Sequence, residues 1–166
     1  MASTLVRIDI HLIFHVKSKG TMILQQDLSR VFAYIGGVIR NLDAIPIEVG
    51  GMPDHIHILT SLPKTRCLAD FVRTVKAESS KWIKQINGHY YGGFSWQEGY
   101  GAFSISPNAV EKAVDYVRNQ ATHHQKKPLL MNTKCFCKRT GLNMMNDMHL
   151  VIDSAALSGL DVFFPL

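Results

Sequence analysis

The sequence contains no apolar run approaching the roughly 20 residues that a membrane-spanning helix needs. Its apolar opening, from Leu5 to Val16, is interrupted by Arg7, Asp9 and His11. That excludes a span and a secretory signal there, so a cytoplasmic protein is expected. Cysteine is scarce: Cys67, Cys135 and Cys137 make an odd number without an export signal, which argues against a disulfide framework. The Cys-x-Cys pair alone is weak evidence for a metal. Acidic residues are also few, 13 against 18 Lys and Arg, for a net charge of +5. This balance points to a polyanionic partner without naming one, and a merely soluble basic protein would share it. What is present is enough for a core. With 166 residues, 46% of them hydrophobic and 19% charged, the chain is too apolar for disorder and has the length of one domain.

Between residues 6 and 16 every even position is apolar, whereas the odd ones include Arg7, Asp9, His11, His15 and Lys17 just beyond. That alternation predicts a strand with one buried and one polar face. Leu28, Val31, Phe32, Ile35, Val38, Ile39 and Leu42 recur at three-and-four spacing, predicting an amphipathic helix over residues 25–42 with Asp27 in its capping region. Short strands are expected over residues 45–49 and 54–62, on either side of Gly50-Gly51-Met52-Pro53. A second helix is marked by Leu68, Phe71, Val72, Val75, Ser79, Trp82, Ile83 and Ile86, with Gly88 as its stop. Residues 90–105 read as a loop plus strand, and Ser106-Pro107 opens a third helix running to about Gln125. The element order predicts an α+β fold: a ferredoxin-like split βαβ sandwich, an antiparallel sheet with two helices on one face, plus an appended C-terminal helix. Fold of this kind does not fix function.

Several residues could carry chemistry. His55 and His57 lie two apart in a strand and leave the same face. Two such imidazoles can share a metal ion, or be ordinary hydrogen-bonded histidines. Tyr116 and Gln120 stand four apart on the last helix, at the edge of a stripe formed by Val110, Ala113, Val114, Val117 and Ala121. A packed tyrosine with a wet hydroxyl fits that position as well as a nucleophile does. Residues 64–84 carry a net charge of +4 and include Arg73, Lys76, Lys81 and Lys84, a phosphate-binding side or a solvated helix face. Trp96 is a candidate for stacking on unpaired bases.

Taken in order, Ile10-His11-Leu12-Ile13-Phe14-His15, Gly51-Met52-Pro53-Asp54-His55-Ile56-His57, Ser79-Ser80-Lys81-Trp82, Trp96-Gln97-Glu98-Gly99-Tyr100-Gly101 and Tyr116-Val117-Arg118-Asn119-Gln120 resemble the single-tyrosine HUH transposases. These are small transposases of insertion sequences that move as single-stranded DNA, related to the REP-associated tyrosine transposases. The resemblance covers residues 5–127. It implies that His55 and His57 are a metal-binding pair, Gln120 the third ligand and Tyr116, on the appended helix, the nucleophile. It implies a divalent metal, Mg²⁺ or Mn²⁺, and a 5′-phosphotyrosine intermediate that lets strands be cut and rejoined without ATP. It further implies single-stranded DNA hairpins as substrate, a homodimer, and neither a membrane nor a small-molecule substrate. Arg73, Lys76, Lys81, Lys84 and Trp96 are then the DNA-binding candidates.

Residues 1–127 are thus expected to form the transposase domain and residues 128–166 an atypical tail. That tail has no Glu, Tyr or Trp and holds four of the seven methionines. It lacks the pattern K-K-T-F-x-x-E-Y-x-x-F-L with which the family usually continues. An alternative reading is therefore a decayed transposase that only binds single-stranded DNA hairpins. A histidine-triad hydrolase is less favoured, since it needs a further histidine where Leu59 stands. Codons allowed for residues 127–150, read in a shifted frame, can encode the missing pattern, so we expect a frameshift near Lys126-Lys127. Resequencing that stretch of the gene should show a frame that restores the pattern; unrelated codons there would contradict the expectation.

Overall fold

The computed structural model describes residues 4–18 and 21–119. Strand β1 spans Asp9–His15, and helix α1, Leu28–Asn41, follows a single 3-10 turn at Gln25–Asp27. The hairpin of β2 (Ile45–Met52) and β3 (His55–Ser61) comes next. Helix α2 covers Leu68–Ile86, as its apolar spacing predicts. The short α3, Gly88–Tyr91, was not legible in the sequence: Asn87 leaves the helix in an extended conformation, and its side chain then accepts a bond from the Tyr90 amide. Gly88 therefore opens a helix rather than ending one. Strand β4 is Gly101–Ile105. A 3-10 turn at Pro107–Ala109 leads into α4, Val110–Arg118. The expected continuation to Gln125 lies outside the described residues, as does the tail.

The sheet runs in the order β2-β3-β1-β4, and every neighbouring pair is antiparallel. This is the split βαβ arrangement, with helices α1 and α2 on one face. Ile10, Leu12, Phe14, Ile56 and Ile58 point to that face and join Val31, Ile35, Ile39, Phe71, Val75 and Ile83 in the main core. Full burial of such side chains stabilises by about 1.5–3 kcal/mol each before chain entropy is counted. Asp27 stands at the start of α1 but makes no side-chain cap bond there. Its buried carboxylate accepts from the Tyr91 hydroxyl at 2.8 Å, which ties α1 to α3.

The other sheet face departs from the expectation of a polar surface. Asp9, His11 and Ile13 on β1, like His55 and His57 on β3, are buried. The reason is α4, whose Ala113, Tyr116 and Val117 form a second apolar cluster with Leu59 and Ile105. Three layers result, with the histidines between sheet and appended helix. The β2–β3 turn depends on Gly51, whose φ of +149° is one that residues with a Cβ rarely adopt.

Candidate active site

Register explains how the histidines meet. β1 and β3 pair so that His15 lies opposite His55, Ile13 opposite His57 and His11 opposite Leu59. All project to the face covered by α4. His15 and His55 have ring centroids 5.4 Å apart, and those of His55 and His57 are 5.0 Å apart. His11 and His57 stack at 5.1 Å, with His11 Nε2 and His57 Nδ1 at hydrogen-bond distance, 2.9 Å. Tyr116 lies edge-on to both, 5.8 Å from His57 and 6.3 Å from His11 between centroids. The structure thus brings His55, His57 and Tyr116 together. Gln120 lies outside the described residues.

Two bonds constrain the imidazole tautomers. His55 Nδ1 is 2.7 Å from Asp54 Oδ1. The hydrogen bond from His55 holds the Asp54 carboxyl down at about 2, against the opposing effect of partial burial. An ionised carboxylate only accepts, so His55 Nδ1 carries the proton and Nε2 is the nitrogen left to offer a lone pair. Burial lowers His11 to about 3, so it is neutral through the physiological range. In the His11–His57 bond one ring donates and the other accepts. Only with His57 Nδ1–H as donor does the His57 lone pair reside on Nε2, where a metal could use it.

Sequence reasoning did not single out His11, His15 or Asp54. Donor atoms of His15, Asp54 and His55 lie within 4.8 Å of one another, a group able to hold a metal ion. The signal was present in the parity of His11 and His15 along β1, but the strand register that places them beside His55 and His57 is a tertiary fact. The group is held from outside too. The Val16 amide donates to Asp54 O at 2.9 Å, and the Gln97 amide to His15 O at 2.8 Å.

The DNA-binding candidates separate into two groups. Arg73, Lys81 and Lys84 are exposed on α2, on the sheet face opposite Tyr116, and Arg73 also pairs with Asp70 at 2.7 Å. Lys76 is engaged elsewhere: its ammonium donates to the carbonyls of Gln97, Glu98 and Gly99 at 2.8–3.1 Å. It also lies over the rings of Phe14 and Tyr100, and burial lowers it to about 8. Trp96, expected to stack on bases, is only 6% exposed. Its indole N–H donates to Ser79 Oγ at 2.9 Å, and its ring packs edge-on against Phe14 and Phe94. Lys76 and Trp96 therefore fix the loop that borders His15.

Fold and site define an α+β sandwich that sets a tyrosine over a buried histidine layer. Residues 4–120 match the model of the IS200-like transposases, and the chain belongs to that family. It is similar to the ISDra2 transposase TnpA of Deinococcus radiodurans, 27% identical over 124 residues that make up 69% of this chain and 84% of that protein. Two solved structures share the fold. One, a candidate transposase from Deinococcus radiodurans, is 18% identical with a TM-score of 0.58, over 72% of this chain and 95% of that one. The other, a REP-associated tyrosine transposase bound to a REP hairpin, is 16% identical with a TM-score of 0.54, over 75% and 73% of the two chains. Among the described residues no helix is long and apolar enough to cross a membrane.

The buried His11 has a consequence for pH. Its folded value of about 3 lies below its ordinary 6.5. Between these values the unfolded chain binds a proton that the folded chain does not, so stability is lost as pH falls from 6.5 towards 3. The contribution approaches about 1.4 kcal/mol per pH unit. Thermal unfolding in EDTA should show a shallower acid-side loss for His11→Leu than for the wild type; equal slopes would contradict the assignment.

Proposed function

We propose that this transposase cuts and rejoins single-stranded DNA at insertion-sequence ends, with Tyr116 as nucleophile. The observation that carries the proposal is the seating of the Tyr116 ring 5.8 Å from His57, on the histidine-bearing face of the sheet. In the cleavage step the tyrosine oxygen attacks phosphorus and forms a P–O bond as the bond to the 3′ oxygen breaks. The phenol proton passes to solvent and the departing oxygen leaves as a 3′-hydroxyl. A 5′-phosphotyrosine results. Attack by a 3′-hydroxyl on that link reverses the exchange, and no ATP is needed because the phosphodiester is conserved.

A buried imidazole pair with an adjacent carboxylate is a donor set that suits a divalent cation. His55 and His57 would hold it, with Gln120 as third ligand by the family resemblance. Mg²⁺ or Mn²⁺ there would polarise the scissile phosphate and offset its developing charge. Asp54 acts through His55, holding the proton on Nδ1 and leaving Nε2 to ligate, and His11 would do the same for His57 as the acceptor of its Nδ1–H. Arg73, Lys81 and Lys84 bind DNA phosphates away from the scissile one, since α2 and Tyr116 lie on opposite faces of the sheet. Lys76 and Trp96 serve the DNA interface by shaping the loop over residues 96–101. The nucleic-acid partner is a single-stranded DNA hairpin and the protein partner a second copy of this chain.

The test incubates single-stranded DNA from both flanks of the gene with Mg²⁺ or Mn²⁺ and seeks a denaturant-resistant protein–DNA adduct. The adduct should form with the wild type and disappear with Tyr116→Phe and with EDTA. DNA that is bound but never joined under any metal would overturn the catalytic reading in favour of a binding-only protein.

A further inference from the structure

Gly50 occupies a position where its lack of a side chain has a geometric purpose. In the β2–β3 ladder Gly50 lies directly opposite His57, and Glu48 opposite Leu59. Directly paired residues share a sheet face, so both point towards α4. A Cβ added at Gly50 would stand 2.8 Å from Val117 Cγ1 and 3.1 Å from the Val117 carbonyl oxygen. Val117 directly follows Tyr116. Two residues back along β2, Glu48 Oε2 accepts from Arg118 Nε at 2.7 Å, holding the next residue of the helix to the same strand. The end of α4 thus approaches β2 as closely as a bare backbone permits, at the residue paired with His57.

We propose that Gly50 is a positioning residue for the reaction: its missing side chain seats the tyrosine helix and thereby sets the distance from Tyr116 to His57. The contact does not relax easily. Val117 is β-branched and stiff at χ1 in a helix, so its methyl cannot swing away cheaply, and the second contact is backbone. Any side chain at position 50 lifts the end of α4 and carries Tyr116 with it. The other β2 glycine differs in kind, since Gly51 is required by its own φ and shapes the turn. Gly37, on α1, has nothing within 4 Å of an added Cβ and is the matched control.

The proposal rests on Tyr116 as nucleophile for its kinetic consequence, but the seating itself can be read without chemistry. Two measurements separate them. In the first, adduct formation at saturating single-stranded DNA with Mn²⁺ is compared with DNA affinity for Gly50→Ala, Gly50→Val and Gly37→Ala. Misplacement by a fraction of an ångström to 1 Å costs about tenfold to a hundredfold in rate. The expected result is a loss of about tenfold or more for Gly50→Ala, larger for Gly50→Val, with affinity unchanged and Gly37→Ala like the wild type. Adding Val117→Ala to Gly50→Ala removes the 2.8 Å contact and should restore part of the rate.

In the second, 3-fluorotyrosine at position 116 reports the ring's surroundings by ¹⁹F NMR without DNA or metal. Its resonance should move in Gly50→Ala and return towards the wild-type value when Val117→Ala is added. An unmoved resonance with an unchanged adduct rate overturns the proposal, as does a rate loss that Val117→Ala leaves untouched. Were the wild type to form no adduct, the nucleophile reading would fail while the fluorine resonance still decided the seating. Should Gly50→Val not fold, Gly50→Ala decides alone.

Discussion

The hydrogen bond between His11 and His57 is the contact on which the site depends. Both rings are buried, at 0% and 1% exposure, and a buried polar atom without a partner costs about 1–3 kcal/mol. The two facing ring nitrogens satisfy each other only if one carries a proton and the other a lone pair, so burial converts a packing contact into a choice of which nitrogen holds a proton. That choice decides whether His57 can serve as a ligand. Burial in turn requires α4 to cover the sheet, and α4 can lie so low only because Gly50 offers no side chain beneath Val117. Sheet register, helix seating and imidazole chemistry are thus links of one chain of causes.

Charge is distributed over two surfaces with different duties. Arg73, Lys81 and Lys84 stand on the outer side of α2, a layer of helix and a sheet away from Tyr116. Long, exposed cations there act on anions over distances of about 8–10 Å at moderate ionic strength; under the proposed function their part is to hold DNA rather than to act on it. Lys76 belongs to the inner structure. Its three carbonyl partners at Gln97, Glu98 and Gly99 stiffen the loop whose Gln97 amide grips the strand at His15. One helix therefore contributes to the outer basic face and, through Lys76, anchors the loop that borders His15.

Much of this was legible in the sequence. The spacing from Leu68 to Ile86 gave α2 its full extent, and His55 and His57 share a face because strand side chains alternate. Tyr116 could be placed beside them from its family resemblance and its position on the appended helix. What remained hidden was decided by contacts distant in the chain. The odd positions of β1 read as a polar face, yet Asp9 and His11 are buried because α4 folds over them. Trp96 read as a base-stacking ring, but Ser79 Oγ supplies the acceptor that lets its indole enter the core. Lys76 looked like one more cation of the basic helix, and only the fold reveals the carbonyls that surround it. Gly50 read as turn punctuation because the helix above it cannot be seen from the strand's own residues.

Asp54 holds the proton on Nδ1 of His55, and ligation through His57 Nε2 requires the same tautomer there, with His11 Nε2 as the acceptor. Long-range ¹H–¹⁵N correlation of the imidazole nitrogens, recorded on the metal-free chain at neutral pH, reads those tautomers directly. The expected result is protonated Nδ1 and unprotonated Nε2 for both residues, with His11 Nε2 as an acceptor and both Nε2 resonances shifting when diamagnetic Mg²⁺ is titrated in. A proton on His57 Nε2, with His11 as the donor, would contradict it.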